Sequence, residues 1–216
     1  MSISHLLLKW WEKNRRSFPW RSERSRFKIL LAEVLLHRTR APQAVKVYQE
    51  LISRYPDPQS LRALGEEKIV EMLRSLGLEW RARLLMKMLD VLIDQYNGEV
   101  PCNEEKLKSL PGVGNYIARA VLIFGCNELA PLLDTNTVRI AGRVYGVKVT
   151  DGSRRSKKFE ELVLRLVDRE KIAESYYALL DLGATVCTAR SPKCEICPLK
   201  DACAYYKDKL LQKSAR

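Results

Sequence analysis

Four thiols with the spacing of metal ligands stand near the end of a 216-residue chain, as Cys187-x6-Cys194-x2-Cys197-x5-Cys203. Thiolates in such a quartet hold either a tetrahedral zinc ion or a [4Fe–4S] cluster, and spacing alone leaves both open. Of the six cysteines only Cys102 and Cys126 lie elsewhere, and they are read as standing alone. A disulfide framework would be unusual in a cytosolic chain of this size. Arg190, Lys193 and Lys200 make the quartet's loop basic, either to face phosphates or as solvated surface.

Two carboxylates occupy positions where chemistry or plain structure could explain them. Glu33 is the only ionisable residue in the run Ile29-Leu30-Leu31-Ala32-Glu33-Val34-Leu35-Leu36. Burying an unpaired carboxylate forces its pKa upward, so Glu33 is either partnered in the core or employed as a general acid. Asp134 follows Ala130-Pro131-Leu132-Leu133 and precedes Thr135-Asn136-Thr137. There it can cap the helix whose stripe is Val138, Ile140, Ala141 and Val144. It can also stabilise positive charge developing on a sugar, or orient a water. A third motif is the turn Leu110-Pro111-Gly112-Val113-Gly114 between two helical patterns. Glycines one residue apart allow outward-pointing N–H groups, and the helix starting near Asn115 adds its positive dipole end. Such a turn holds a phosphate and positions a protein on a duplex without reading sequence.

The elements that must carry these residues are all helical by hydrophobic period. Ile3, Leu6, Leu7, Trp10 and Trp11 form one stripe over Ile3 to Lys13. Further helices are expected over Phe27 to Leu36, Pro42 to Tyr55, Glu66 to Leu76, Trp80 to Tyr96, Glu104 to Leu110 and Tyr116 to Phe124. Three more are expected over Thr135 to Tyr145, Ser156 to Val167 and Glu174 to Val186. No alternating run bounded by hairpin turns competes, so the fold class is all-α. Connections are short and marked by Pro or Gly, as at Pro56-Asp57-Pro58.

Composition narrows the partner. The chain carries 38 Lys and Arg against 26 Asp and Glu, a net +12, which favours polyanions, and nucleic acid is the commonest in the cytosol. Ten Gly and nine Pro without period exclude a collagenous or low-complexity chain. No apolar run reaches the roughly 18 to 20 residues of a bilayer-spanning helix. Met1 to Arg16 has no secretory pattern. A cytoplasmic, nucleoid-associated monomer is expected.

In order along the chain, the residues form a recognisable series. It runs Phe18-Pro19-Trp20-Arg21; Ala32-Glu33-Val34-Leu35-Leu36-His37-Arg38-Thr39; Gly77-Leu78 with Arg81-Ala82-Arg83; the glycine turn; Leu133-Asp134-Thr135-Asn136; and the cysteine quartet. This series resembles the endonuclease III superfamily of base-excision DNA glycosylases over nearly the whole chain. The resemblance implies two helical lobes with a DNA cleft between them. One is a six-helix barrel over 22–130 with a helix-hairpin-helix near 104–125. The other joins 1–21 to 131–216 and carries the cluster, with [4Fe–4S] favoured over zinc. Leu110, Gly112, Val113 and Gly114 would contact DNA through the hairpin, Arg38 would fill the vacated base stack, and His37 beside it would also contact DNA.

Bifunctional members carry a lysine near the start of the second hairpin helix. Here Tyr116 fills that place, and no lysine occurs from Leu110 to Cys126. A phenol cannot form the imine that lyase chemistry needs, so a monofunctional enzyme is expected. Tyr116, Glu33 and Asp134 together are similar to the constellation in MutY-type adenine glycosylases and in Mig-type thymine glycosylases. Adenine enzymes usually have Gln-Gln where this chain has His37-Arg38, and they usually add a C-terminal domain beyond the cluster. The expectation is therefore excision of thymine, with uracil, opposite guanine in double-stranded DNA. The alternatives are adenine excision opposite 8-oxoguanine or guanine, and a non-catalytic DNA-binding protein with a structural cluster.

Overall fold

A computed structural model of the chain describes residues 2–37, 39–77 and 79–214. Twelve α-helices and no strand form among them, in line with the all-α expectation. Two compact units result: Ser17–Glu128, and the chain up to Arg16 together with the chain from Leu129 onward. The first junction falls between Arg16 and Ser17 and not at residue 22. The reason is Trp20, buried on a short 3-10 turn and set edge-on to Tyr48 at 5.4 Å, which ties this segment to the middle unit.

In the middle unit run α2 (Arg26–Leu36), α3 (Ala41–Arg54), α4 (Pro58–Ala63), α5 (Glu66–Leu73), α6 (Glu79–Tyr96), α7 (Glu104–Lys108) and α8 (Asn115–Cys126). From Ile29 to Leu36 α2 is apolar apart from Glu33, so that stretch belongs inside. Its residues Phe27 and Ile29 through Leu35 are buried, and α3 and α8 pack against it. Each buried Leu or Ile there contributes about 1.5–3 kcal/mol. α8 is the second inner helix, with Ile117, Ala118 and Ala120 through Phe124 buried, and it ends where Asn127 turns left-handed at φ 54°.

The other unit holds α1 (Ile3–Asn14), α9 (Thr135–Tyr145), α10 (Lys157–Leu164), α11 (Ile172–Thr185) and α12 (Ala204–Ser214). Here α9 is the hub, touched by α10, α11 and α12. The N-terminal helix is held by one buried carboxylate. Asp181 on α11 accepts from Trp11 Nε1 (2.9 Å), from the Arg16 backbone (3.0 Å) and from Arg16 Nε (2.5 Å). A fully buried aspartate must be paired in this way.

Three readings need correction. Pro56-Asp57-Pro58 starts a helix instead of only connecting two, because Asp57 and Ser60 form a capping box and Pro58 takes the first turn. The tail after Cys203, for which no helix is expected from the sequence, forms α12. Cys102 and Cys126 do not stand alone: they form a disulfide across 24 residues. The helical hairpin between them returns the chain to its starting point, which brings the two sulfurs together.

Candidate functional site

The hairpin turn takes its shape from two side chains that face inward. Leu110 and Val113 are 2% and 6% exposed, so they anchor the turn and leave its main chain outside. Gly112 sits at φ +80°, where a side chain would be strained, and Leu84 lies 3.4 Å from where its Cβ would stand. Gly114 needs no unusual φ, but a Cβ there would project into open space. It offers no side-chain cap either, so the first N–H groups of α8 are left for an external anion.

Two elements of the middle unit bring further candidates to neighbouring helices. Glu33, 7% exposed, lies on α2, and Tyr116, half-buried, lies in the first turn of α8; the two helices pack together. His37 ends α2 and contacts Arg81 Nη2 through its Nδ1. Arg38 and Leu78 lie outside the described residues. Arg81 is a buried cation whose role the motif alone does not reveal. It donates to the Val34 carbonyl (2.7 Å) and lies 4.7 Å from the Trp80 ring, which fixes the end of α2 that leads to Arg38.

In the other unit Asp134 is both a cap and an oriented carboxylate. Its Oδ1 accepts the N–H of Asn136 (2.9 Å) and of Thr137 (2.7 Å), while its own N–H donates to Thr137 Oγ1 (2.9 Å). Its Oδ2 accepts from Asn136 Nδ2 at 2.7 Å. A carboxylate oxygen takes about two donors, so Oδ1 is filled and Oδ2 retains capacity for a water.

Asn136 is itself held. Arg139, one turn along α9, donates from Nη2 to Asn136 Oδ1 and to the Gly183 carbonyl, and from Nε to the Cys187 carbonyl, all at 2.8 Å. Hydrogen bonds thus run from Asp134 through Asn136 and Arg139 to the backbone of the first cysteine. Sequence reasoning missed this relay. The only sign of it was the i, i+3 spacing of Asn136 and Arg139, which puts both on one helix face.

The four cysteines surround one small pocket with Arg143, Pro192 and Tyr206. Arg143 holds their loop, donating to the carbonyls of Thr188 (2.7 Å) and Ala189 (2.8 Å) and to Cys187 Sγ (3.3 Å). Burial pushes the Cys197 thiol up to about 11, and the other three sulfurs add to the rise against an N–H from Leu199. Burial raises Cys203 as well. Four sulfurs gathered this way ionise together only when cations share their charge, so the donor set fits a thiolate-bound iron–sulfur group. Among the described residues, no three His, Cys, Asp or Glu groups are placed to share one metal ion. None of the described helices is long and apolar enough to cross a membrane.

The chain is similar to known proteins along most of its length. A thymine-DNA glycosylase of Aeropyrum pernix is 41% identical, covering 95% of this chain and 94% of that protein. An adenine DNA glycosylase of Mycobacterium tuberculosis is 35% identical over 92% of this chain and 66% of that protein. A solved structure of a thermostable thymine-DNA glycosylase superposes with a TM-score of 0.87 at 33% identity, covering 95% of both chains. Residues 187–203 match the iron–sulfur binding domain of endonuclease III, so that segment is an iron–sulfur binding domain. With residues 31–166 matching its model, the chain belongs to the HhH-GPD superfamily of base excision DNA repair proteins.

Proposed function

We propose that this protein is a monofunctional DNA glycosylase that hydrolyses the N-glycosidic bond of thymine, and of uracil, mispaired with guanine. The product is an abasic site. The observation that carries the reading is Tyr116 at the head of α8, with no lysine from Leu110 to Cys126. Without an amine to form an imine, water must be the nucleophile. The base choice is supported by relatives named for thymine and by His37-Arg38 where adenine enzymes usually have Gln-Gln.

In this reading the main chain of Gly112 and Gly114 grips a phosphate of a mismatched duplex while the pyrimidine swings out. A mispaired base has already lost part of the few kcal/mol that hold it in the stack. Arg38 fills the gap and donates to O6 and N7 of the unpaired guanine. As the bond to the sugar stretches, Asp134 offsets the positive charge that develops there, and Oδ2 orients the attacking water. Glu33 hydrogen-bonds the departing base, and Tyr116 packs against the sugar. Cys187, Cys194, Cys197 and Cys203 would hold a [4Fe–4S] cluster, which when bound would cross-link their loop.

Labelled duplexes carrying G·T, G·U, G·A and 8-oxoguanine·A, each followed by alkali, test the proposal. Breaks are expected only at T and U, only after alkali, and borohydride is expected to trap no adduct. A good yield of covalent adduct refutes hydrolysis by water. A second reading, an adenine glycosylase, is favoured by the Mycobacterium tuberculosis relative. Release of adenine alone would establish it.

A further inference from the structure

The Cys102–Cys126 bond closes the chain around the whole hairpin. Cys102 lies just before α7 and Cys126 is the last residue of α8, so the enclosed segment holds both helices and the phosphate-gripping turn. α7 has only five residues, far short of what is stable alone in water. Other contacts besides the bond help to hold it. Asn103 caps it by accepting from Lys106 N (3.0 Å), Leu107 is buried, and Arg119 on α8 reaches Glu104 at 3.0 Å. The bond therefore adds a covalent restraint at the hairpin's open end.

The surroundings of the two sulfurs are those of a pair that exchanges. Cys102 is exposed and Cys126 half-buried, so an external thiol can reach them. Arg26 Nη1 lies 3.6 Å from Cys102 Sγ, while its other nitrogen pairs with the exposed Glu99 at 2.7 Å. A guanidinium beside a sulfur favours its thiolate and makes it the better leaving group.

We propose that Cys102 and Cys126 form a thiol–disulfide exchange site for dithiols, small or protein-borne, whose state sets how firmly the hairpin holds DNA. One thiolate of the dithiol attacks Cys126 Sγ, and the electron pair of the old bond leaves on Cys102 as a thiolate beside Arg26. The second thiol of the reagent then attacks the mixed disulfide and displaces Cys126. The reagent departs as a cyclic disulfide, and its two electrons and two protons end on the cysteines. The reduced hairpin spends part of its time with α7 loosened, and affinity falls by the fraction of time the grip is formed. This consequence for DNA rests on the hairpin's role in the reading above.

The test compares oxidised holoprotein, the same protein after dithiothreitol, and a Cys102→Ser/Cys126→Ser variant, with cluster absorbance followed throughout. Hydrogen exchange over 104–125 reports the clamp without DNA. Anisotropy on a duplex with a tetrahydrofuran abasic analogue reports the grip. Dithiothreitol should open the pair in the native protein, speed exchange over 104–125 and weaken binding about three- to tenfold. The variant should show the weak state with or without reductant. A pair that resists dithiothreitol in the folded protein, or unchanged exchange, overturns the clamp. Faster exchange with unchanged affinity overturns instead the hairpin's part in DNA binding, and with it the proposed control.

Discussion

Asp134→Asn separates the two roles of one side chain. The amide oxygen of the variant can still accept the N–H groups of Asn136 and Thr137, which Oδ1 holds at 2.9 and 2.7 Å. What is lost is a negative charge at the start of α9, about 0.3–1 kcal/mol, and the 2.7 Å bond from Asn136 Nδ2, about 1 kcal/mol. Asn136 cannot simply turn to accept in return, because its oxygen is held by Arg139. The sum, roughly 1–2 kcal/mol, lowers the melting temperature by about 2–8 °C for a chain of this size. The loss in chemistry is larger. Removing one preorganised electrostatic contact at a reacting centre costs about 3–4 kcal/mol, or 10²–10³ in rate. Single-turnover excision on a G·T duplex at saturating enzyme, run beside calorimetry and mismatch binding, reads both quantities. The expected result is a rate lower by at least about a hundredfold, with mismatch affinity retained and only the modest melting shift. A rate within tenfold of the parent would leave Asp134 as a helix cap and refute its catalytic assignment.

Two further outcomes follow from contacts within each unit. In Gly183→Ala the new Cβ would stand 2.6 Å from Asn136 Cβ, so despite a helix-propensity gain of about 0.5–1 kcal/mol a net loss of about 1–2 kcal/mol from overpacking is expected. Excision should slow with it, since Asn136 holds Asp134; a variant as stable and active as the parent would show the contact to be soft. Burial pushes the Glu23 carboxyl up, but the N–H groups of Ser25 and Arg24 and the charge of Lys28 outweigh it and hold it below the ordinary 4.5. Its stabilisation is therefore complete above that value and is lost as pH falls through the lower folded one. Melting temperatures of Glu23→Gln and the parent should converge below about pH 4.5, and a gap independent of pH would contradict this account.

Local patterns made much of this molecule readable in advance. The cysteine spacing marks a metal-type site because ligands close in sequence are forced close in space. The apolar run Ile29–Leu36 announces an inner helix because no face of it tolerates water, and the two glycines of 110–114 announce a turn because the chain there needs freedom near Gly112. The all-helical class comes from the same source, since a period of 3.6 is a property of neighbours along the chain.

Other features became visible only in three dimensions. Nothing along the chain shows that Cys102 meets Cys126, that buried Arg81 holds His37, or that Arg139 joins Asn136 to the Cys187 carbonyl. Each of these joins residues from different helices, or from a helix and a distant loop. Whether two such groups touch depends on how the helices pack around their cores, and packing is set by the summed burial of many side chains. That is why the sequence determined the kind of elements and the types of reacting groups, whereas the tertiary structure decided which of those groups are held and by what.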